Sequence, residues 1–126
     1  QVQQYSPVVE GKIADTSLRR RLLNHQIAFT AQRLTQKRVI EETAASAPGF
    51  ASSAVKLSNA LITQEGDEIL VAAMGTQGIG WEATGFKTEE IDATRDWLKQ
   101  KSQTIAGGTK EVQLNIIAKR VLGLPD

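Results

Sequence analysis

Residues 107–125 read Gly-Gly-Thr-Lys-Glu-Val-Gln-Leu-Asn-Ile-Ile-Ala-Lys-Arg-Val-Leu-Gly-Leu-Pro and carry the most complete helix signature in the chain. The two glycines favour a turn, Thr109 is a good N-cap, and Glu111 lies in the positive first turn of the helix. Lys119 and Arg120 then lie at the negative end of the helix, and Gly123 and Pro125 stop it. We therefore predict a helix that opens at Thr109 and ends before Gly123.

Three further helices are predicted upstream from apolar periodicity and from boundary residues. Pro48 separates the first two, Gly75 suits the left-handed position after the second, and Thr88 opens the third. No run alternates with a strand period, so we expect an all-α fold, a four-helix up-and-down bundle of antiparallel neighbours. The predicted helical ranges are 16–46, 48–74 and 88–103, followed by the closing helix. Thr16 or Ser17 is the predicted N-cap of the first.

The amino-terminal residues 1–15 show no sustained period and contain Pro7 and Gly11, so we interpret them as a linker or partial segment. The helical domain is predicted to comprise residues 16–126. Because the chain begins with Gln1 and not Met, we also expect it to be cut from a longer protein.

The first long helix has two apolar lines and an unusual charge distribution. Arginines 19–21 lie near its positive end and glutamates 41–42 near its negative end, opposite to what the helix dipole favours. We infer that these charges pair outside the helix and that its wide apolar side contacts two neighbouring helices. The two lines are Leu23, Ile27 and Leu34, and Leu22, Phe29 and Ile40.

The composition narrows the class of protein. The 126 residues include 15 Lys and Arg against 14 Asp and Glu, a formal net charge of +1, which argues against nucleic-acid binding. The absence of cysteine excludes disulfide scaffolds and thiol nucleophiles, and His25 is the single histidine. No apolar run approaches the ~20 residues of a membrane span, and no signal-peptide pattern is present, so we expect a soluble, cytoplasmic protein.

Two glycine-containing stretches are candidates for binding a phosphate or another polar ligand. Gly75–Gly80 lies between the second and third helices, although it matches no nucleotide-binding fingerprint. Gly107-Gly108-Thr109 places free backbone amides at a positive helix end. Each stretch is also compatible with an ordinary turn between helices, and the residues alone leave both interpretations open.

Side chains suited to acid–base catalysis are sparse. The acidic pairs 41–42, 67–68 and 89–90 are neighbours on helices and point about 100° apart, so we interpret them as solvated. His25 shares one side of its helix with Arg21 and is interpreted as a surface histidine. No residue is therefore predicted to be catalytic from the pattern alone.

The stretch 107–125 closely resembles the carboxy-terminal signature of acyl-CoA dehydrogenases, with the family's Gly-Thr start and Arg-Val-Leu-Gly-Leu-Pro finish. Leu18–Gln32, Lys56–Met74 and Gly75–Gly80 resemble earlier parts of the same domain. The resemblance implies FAD-dependent oxidation of the Cα–Cβ bond of an acyl-CoA to trans-2-enoyl-CoA, within fatty acid β-oxidation. It also implies acyl-CoA and an electron-transfer flavoprotein as partners, and a homo- or hetero-oligomer.

The same resemblance suggests cofactor-binding residues. Thr109 and Glu111 open the last helix, and the family places the equivalent residues against the flavin nucleotide. The glycine stretch often touches the FAD of a neighbouring subunit, which carries over to Gly75, Thr76 and Gln77. These five residues are our predicted FAD contacts, and no metal ligand is predicted.

Two positions depart from the family pattern. Many members have the catalytic glutamate where this chain has Gly107, which cannot abstract a proton, and Ala72 replaces a common glutamine. The chain also lacks the family's amino-terminal domain, middle β-domain and first long carboxy-terminal helix. We therefore expect the isolated chain to be inactive and to hold FAD weakly. The alternative is a non-catalytic helical subunit derived from the family.

Overall fold

The computed structural model describes residues 1–44, 52–82 and 84–125, and the fold in these ranges is almost entirely helical. The predicted break at 47–49 and the predicted helix end near Ser46 lie outside the described residues. The helices are α1 (Val2–Tyr5), α2 (Thr16–Ala44), α3 (Ser52–Met74), α4 (Thr88–Gln100) and α5 (Lys110–Ile116). Short 3-10 turns cover Gly75–Ile79 and Lys101–Thr104, and a π-helical turn, Ile117–Val121, continues α5.

Helix α3 is the centre of the domain, and α2, α4 and α5 all pack against it. Its residue Ile69 is the most deeply buried large side chain among the described residues, with Ala60, Met74 and Ile91 of α4 also in the core. The all-α prediction is confirmed. The third helix ends three residues earlier than predicted, because the chain tightens into a 3-10 turn after Gln100.

The amino-terminal segment is structured and packs on the bundle. Helix α1 lies against α3, and two short antiparallel strands, β1 (Val8–Val9) and β2 (Lys12–Ile13), pair Val8 with Ile13. These two short strands leave the all-α class of the domain unchanged. A two-residue strand is too short to produce the alternating pattern on which strand prediction depends.

Helix α2 begins at Thr16, and its N-cap is the preceding residue, Asp15. The backbone amides of Ser17 and Leu18 both donate to the Asp15 carboxylate, at 2.8 and 3.0 Å, so Asp15 is the cap and Thr16 is already helical. Thr16 or Ser17 was the predicted cap. Aspartate is as good an N-cap as serine or threonine, so the three neighbouring candidates could not be separated by type.

The side of α2 that packs on α3 is polar. Arg21 forms an ion pair with Glu65 at 3.0 Å, and the Gln32 amide donates to the carbonyl oxygen of Val55 at 3.0 Å. Both apolar lines of α2 remain largely exposed. The expectation that this apolar side contacts two neighbouring helices is not met within the described residues.

Candidate functional site

The turn that leads into α5 has a conformation that requires its two glycines. Gly107 has φ +69° and Gly108 has φ +106°, both in the region that L side chains rarely adopt. Thr109 follows as the N-cap, and its hydroxyl accepts a hydrogen bond from the Val112 amide at 3.4 Å. The predicted start of the closing helix is confirmed. The backbone of this turn, residues 107–109, lies at the positive end of α5.

Two side-chain hydrogen bonds hold this turn in place, one from the distant helix α3 and one from within α5. The Lys56 ammonium group on α3 donates to the carbonyl oxygen of Gly108. The buried Gln113 amide donates to the carbonyl oxygen of Gly107 at 2.9 Å, and a Cβ on Gly108 would lie 2.8 Å from the Gln113 Nε2 atom. Both carbonyl oxygens therefore already accept a hydrogen bond from a side chain of the protein. The turn is fixed before any ligand binds, which reduces the entropic cost of binding.

The electrostatics of the turn are set by Glu111, an exposed residue in the first turn of α5. A hydrogen bond from its own backbone amide, and then one from the Thr109 hydroxyl, lower the pKa of the Glu111 carboxyl below its usual range, with a smaller contribution from Lys110. The carboxylate therefore occupies the positive helix end. A group that donates hydrogen bonds, such as a hydroxyl or an amine, fits here better than a phosphate, which Glu111 repels.

The second candidate stretch, Gly75–Gly80, is a packed 3-10 turn and not an open loop. Gly75 has φ +57°, the left-handed conformation predicted after α3. Gly78 is buried against α3, where a Cβ would lie 2.6 Å from the carbonyl oxygen of Val71. Its own carbonyl oxygen accepts a hydrogen bond from the Thr94 hydroxyl at 3.1 Å. Residue 78 is therefore glycine because of packing between α3 and α4.

The predicted contact residues in this turn differ in exposure. Thr76 is exposed, whereas Gln77 is half-buried, and its Oε1 atom is buried without a hydrogen-bond partner in the described part of the chain. A buried amide oxygen without a partner is unfavourable by about 1–3 kcal/mol. Gln77 is thus a polar group for which a donor from a ligand or another subunit would be stabilising.

The structure does not bring the two sets of predicted contacts together. Lys56 marks the Thr109 end of α3 and Gly75 follows its other end. At 1.5 Å per residue these positions are roughly 28 Å apart along α3. Thr109 and Glu111 therefore cannot form one compact site with Thr76 and Gln77 of the same chain.

The position of the usual family base is occupied by a backbone turn. Gly107 offers no side chain, and its positive φ disfavours any other residue. The nearest acid along the chain, Glu111, is exposed and has a lowered pKa, which makes it a poor proton acceptor at neutral pH. The turn is therefore suited to binding and not to proton abstraction.

Two of the acidic residues interpreted as solvated are in fact partly or fully buried. Glu90 is buried and accepts a hydrogen bond from the Lys87 amide at 2.9 Å, which caps α4. Burial, and then the charge of Asp96, raise the pKa of the Asp67 carboxyl, and Lys101 and His25 partly offset this. The positions of Glu90 and Asp67 on their helices did not predict this burial, because burial depends on which neighbouring element packs against the helix.

His25 is also not the surface residue that was expected. Its ring lies between α2 and α3, so close to Gly66 that a Cβ there would be 3.0 Å from the His25 Cε1 atom. The Nδ1 atom is buried and has no hydrogen-bond partner within the described ranges. Gly66 therefore leaves room for the His25 ring.

Other kinds of site find no support in the described residues. No cluster of three His, Asp or Glu side chains there could hold a metal ion. None of the described helices is both long enough and apolar enough to cross a membrane.

The glycine turn and its Thr109 cap open the last helix of an all-α domain. The chain matches the family model described as "Acyl-CoA dehydrogenase, C-terminal domain" over residues 7–122. It therefore belongs to the acyl-CoA dehydrogenase family, as its carboxy-terminal domain, and the family resemblance is confirmed. Comparison with curated proteins gives no match, and neither does comparison with solved structures.

Proposed function

We propose that this chain is the carboxy-terminal domain of an FAD-dependent acyl-CoA dehydrogenase and that it contributes flavin contacts and subunit packing. The reaction would be oxidation of the Cα–Cβ bond of an acyl-CoA to the trans-2-enoyl-CoA. FAD would supply the acceptor for the hydride from Cβ and would pass electrons to an electron-transfer flavoprotein. In this proposal the domain binds and orients, and the catalytic base lies on another segment.

The observation that carries the proposal is the preorganised turn at residues 107–109. Lys56 and Gln113 satisfy its carbonyl groups from the protein side, so its outward surface is free for a ligand. The Glu111 carboxylate lies at this surface and accepts a hydrogen bond from the Thr109 hydroxyl. Its remaining acceptor capacity suits the ribose or adenine end of FAD, which carries hydroxyl and amino groups, better than the pyrophosphate.

The second set of predicted contacts supports an oligomer in this proposal. Because the Gly75–Gln77 turn lies at the other end of α3, it would meet the FAD held by a neighbouring subunit. Thr76 is exposed for such a contact, and the unpartnered Oε1 atom of Gln77 would gain a donor. A homo- or hetero-oligomer follows from this division of the contacts.

Flavin affinity of the protein that carries this domain tests the proposal. E111K reverses the charge at the helix start, and we expect FAD to bind about 10–100-fold more weakly because a charged hydrogen bond is lost. E111Q keeps an acceptor and should reduce binding less. E89K is the matched control, since Glu89 is also an exposed first-turn glutamate, on α4. Equal FAD affinity of E111K and wild type would contradict the proposal.

A non-catalytic helical subunit is the second candidate, and Gly107 favours it. The residue at the family's usual base position has no side chain and lies in a left-handed turn. In that case the chain would pack against an active partner without contributing a base. To distinguish the two functions, acyl-CoA oxidation is measured for the complex of this chain with its partner and again after this chain has been removed. Activity that remains in the partner alone would favour the non-catalytic subunit.

A further inference from the structure

A cavity of about 310 Å³ lies between α3 and the end of α4 with the 3-10 turn that follows it. The buried Ala60 forms part of its wall. The Gln64 amide donates a hydrogen bond of 2.8 Å to the carbonyl oxygen of Gln100 and so connects the two helices there. The volume is that of a site for a small molecule. All other lining residues that the structure describes are polar: Lys56, Asn59, Thr63, Gln100 and Gln103.

Four of these side chains are neutral, and none of the four makes a hydrogen bond to a residue that the structure describes. They are the amides of Asn59, Gln100 and Gln103 and the hydroxyl of Thr63. Amides and hydroxyls both donate and accept hydrogen bonds. Because the four groups line a single cavity, one polar ligand can replace water at several of them at once.

The single charged group among the described lining residues is the Lys56 ammonium. Lys56 is half-buried, and it forms no ion pair within residues 1–44, 52–82 and 84–125. One of its N–H groups donates to the Gly108 carbonyl oxygen, which is a neutral acceptor. The positive charge is therefore uncompensated, and two N–H donors remain. A partly desolvated cation of this kind is stabilised by an anion.

We propose that this cavity binds a small hydroxycarboxylate, with its carboxylate against Lys56. The carboxylate would accept hydrogen bonds from the two remaining N–H groups, and the ligand hydroxyl would bond to one of the amides. One cation matches one negative charge. A phosphate dianion fits less well, because no second lysine or arginine lines the cavity in the described part of the chain.

This site is distinct from the proposed flavin contacts. Lys56 bonds to the glycine turn from the protein side, whereas Thr109 and Glu111 are assigned to the flavin on the outward surface of that turn. The cavity and its ligand do not depend on flavin binding. Loss of FAD affinity in E111K and loss of carboxylate binding in cavity variants are therefore independent results.

Titration with lactate and with glycolate, followed by ligand-observed NMR on the protein that carries this domain, tests the proposal. For ligands of this size we expect saturable binding with a dissociation constant on the order of 1 mM. Lactamide has a similar shape to lactate but no charge, and it should bind at least about tenfold more weakly. Inorganic phosphate should also bind more weakly than lactate.

Two variants assign the binding to this cavity. K56M removes the cation, and we expect it to weaken lactate binding at least about tenfold. T63V keeps the shape of the side chain but removes its hydroxyl, and we expect a loss of about threefold. Because T63V leaves the bond between Lys56 and Gly108 in place, a displaced turn would not explain its effect. K99M and T35V, at exposed positions outside the cavity, are the matched controls and should bind lactate like wild type.

Four results would overturn the proposal. Absence of saturable binding of both lactate and glycolate would exclude a hydroxycarboxylate site. Lactamide that binds as tightly as lactate would show that the charge is not recognised, and phosphate that binds more tightly would assign the site to a different anion. Lactate affinity that neither K56M nor T63V changes would place the binding outside this cavity.

Discussion

The ammonium group of Lys56 donates a hydrogen bond to the carbonyl oxygen of Gly108, 52 residues further along the chain. This bond connects the central helix α3 to the turn that opens α5. It fixes the backbone next to Thr109, the candidate flavin contact, since Thr109 follows Gly108 directly. The position of the site therefore depends on a residue that would not itself contact the ligand.

Replacing this lysine should weaken both the fold and flavin binding. In K56M the aliphatic stem remains, but the Gly108 carbonyl loses a charged donor, which costs about 1–3 kcal/mol. We expect the free energy of unfolding in urea to fall by that amount. K99M, at an exposed position of α4, should change it by less than about 0.5 kcal/mol. Equal stability of K56M and wild type would contradict a supporting role for Lys56.

Restoring the family's usual base at residue 107 should not produce activity. G107E forces a side chain into a backbone with φ +69°, at a cost of roughly 1–2 kcal/mol. We expect a less stable protein whose acyl-CoA oxidation is no faster than that of wild type. A rate increase in G107E would show that the turn can present a base, contrary to its geometry.

The contact between His25 and Gly66 can be measured with a double-mutant cycle. Alanine at 66 should stabilise helix α3 by about 1 kcal/mol, but its Cβ would meet the His25 ring at 3.0 Å. We expect G66A to gain little or lose stability in wild type, and to gain about 1 kcal/mol in the H25A background. The same effect of G66A in both backgrounds would show that the ring does not limit residue 66.

Asp67 should make stability depend on pH. Its pKa is raised in the folded state, so the folded protein binds this proton more tightly than the unfolded chain does. The charged Asp67 carboxylate therefore destabilises the folded state. This destabilisation is absent below the pKa of Asp67 in the unfolded chain and develops as pH rises through its raised pKa in the folded protein.

The D67N variant removes that penalty. We expect it to be more stable than wild type at neutral pH, by less than about 1 kcal/mol because the group is partly exposed. The difference should vanish near about pH 3, where Asp67 is protonated in both states. D92N, at an exposed position of α4, should show no such trend. Thermal unfolding across this pH range measures both, and a constant difference for D67N would contradict this assignment.

Local signals predicted most helix boundaries but not the orientation of α2. The cap at Thr109, the left-handed Gly75 and the start at Thr88 depend on neighbouring residues, and all three are confirmed. The inward side of α2 depends on long-range partners. Its periodicity indicates an apolar interior, whereas Glu65 and Val55 of α3 select the polar side through Arg21 and Gln32.

In the candidate site, too, the features that depend on neighbouring residues could be predicted, and those that depend on tertiary contacts could not. Gly107, Gly108 and Thr109 are adjacent and form a recognisable turn, so the sequence could indicate the turn and the capped helix start. Lys56 and Gln113, which hold the turn, gave no signal because their role depends on contacts across the turn and the bundle. Tertiary contacts also bury Glu90 and partly bury Asp67, which helix position alone places in solvent.

The most direct test of the central claim is amide hydrogen exchange in the segment 107–113, compared between the flavin-free and flavin-loaded protein. We expect FAD to slow exchange of the Lys110 and Glu111 amides by at least about tenfold, because the nucleotide would cover the start of α5. Residues 95–100 of α4 are the internal reference. Unchanged exchange in segment 107–113 of a fully flavin-loaded protein would contradict the claim that this turn contacts the cofactor.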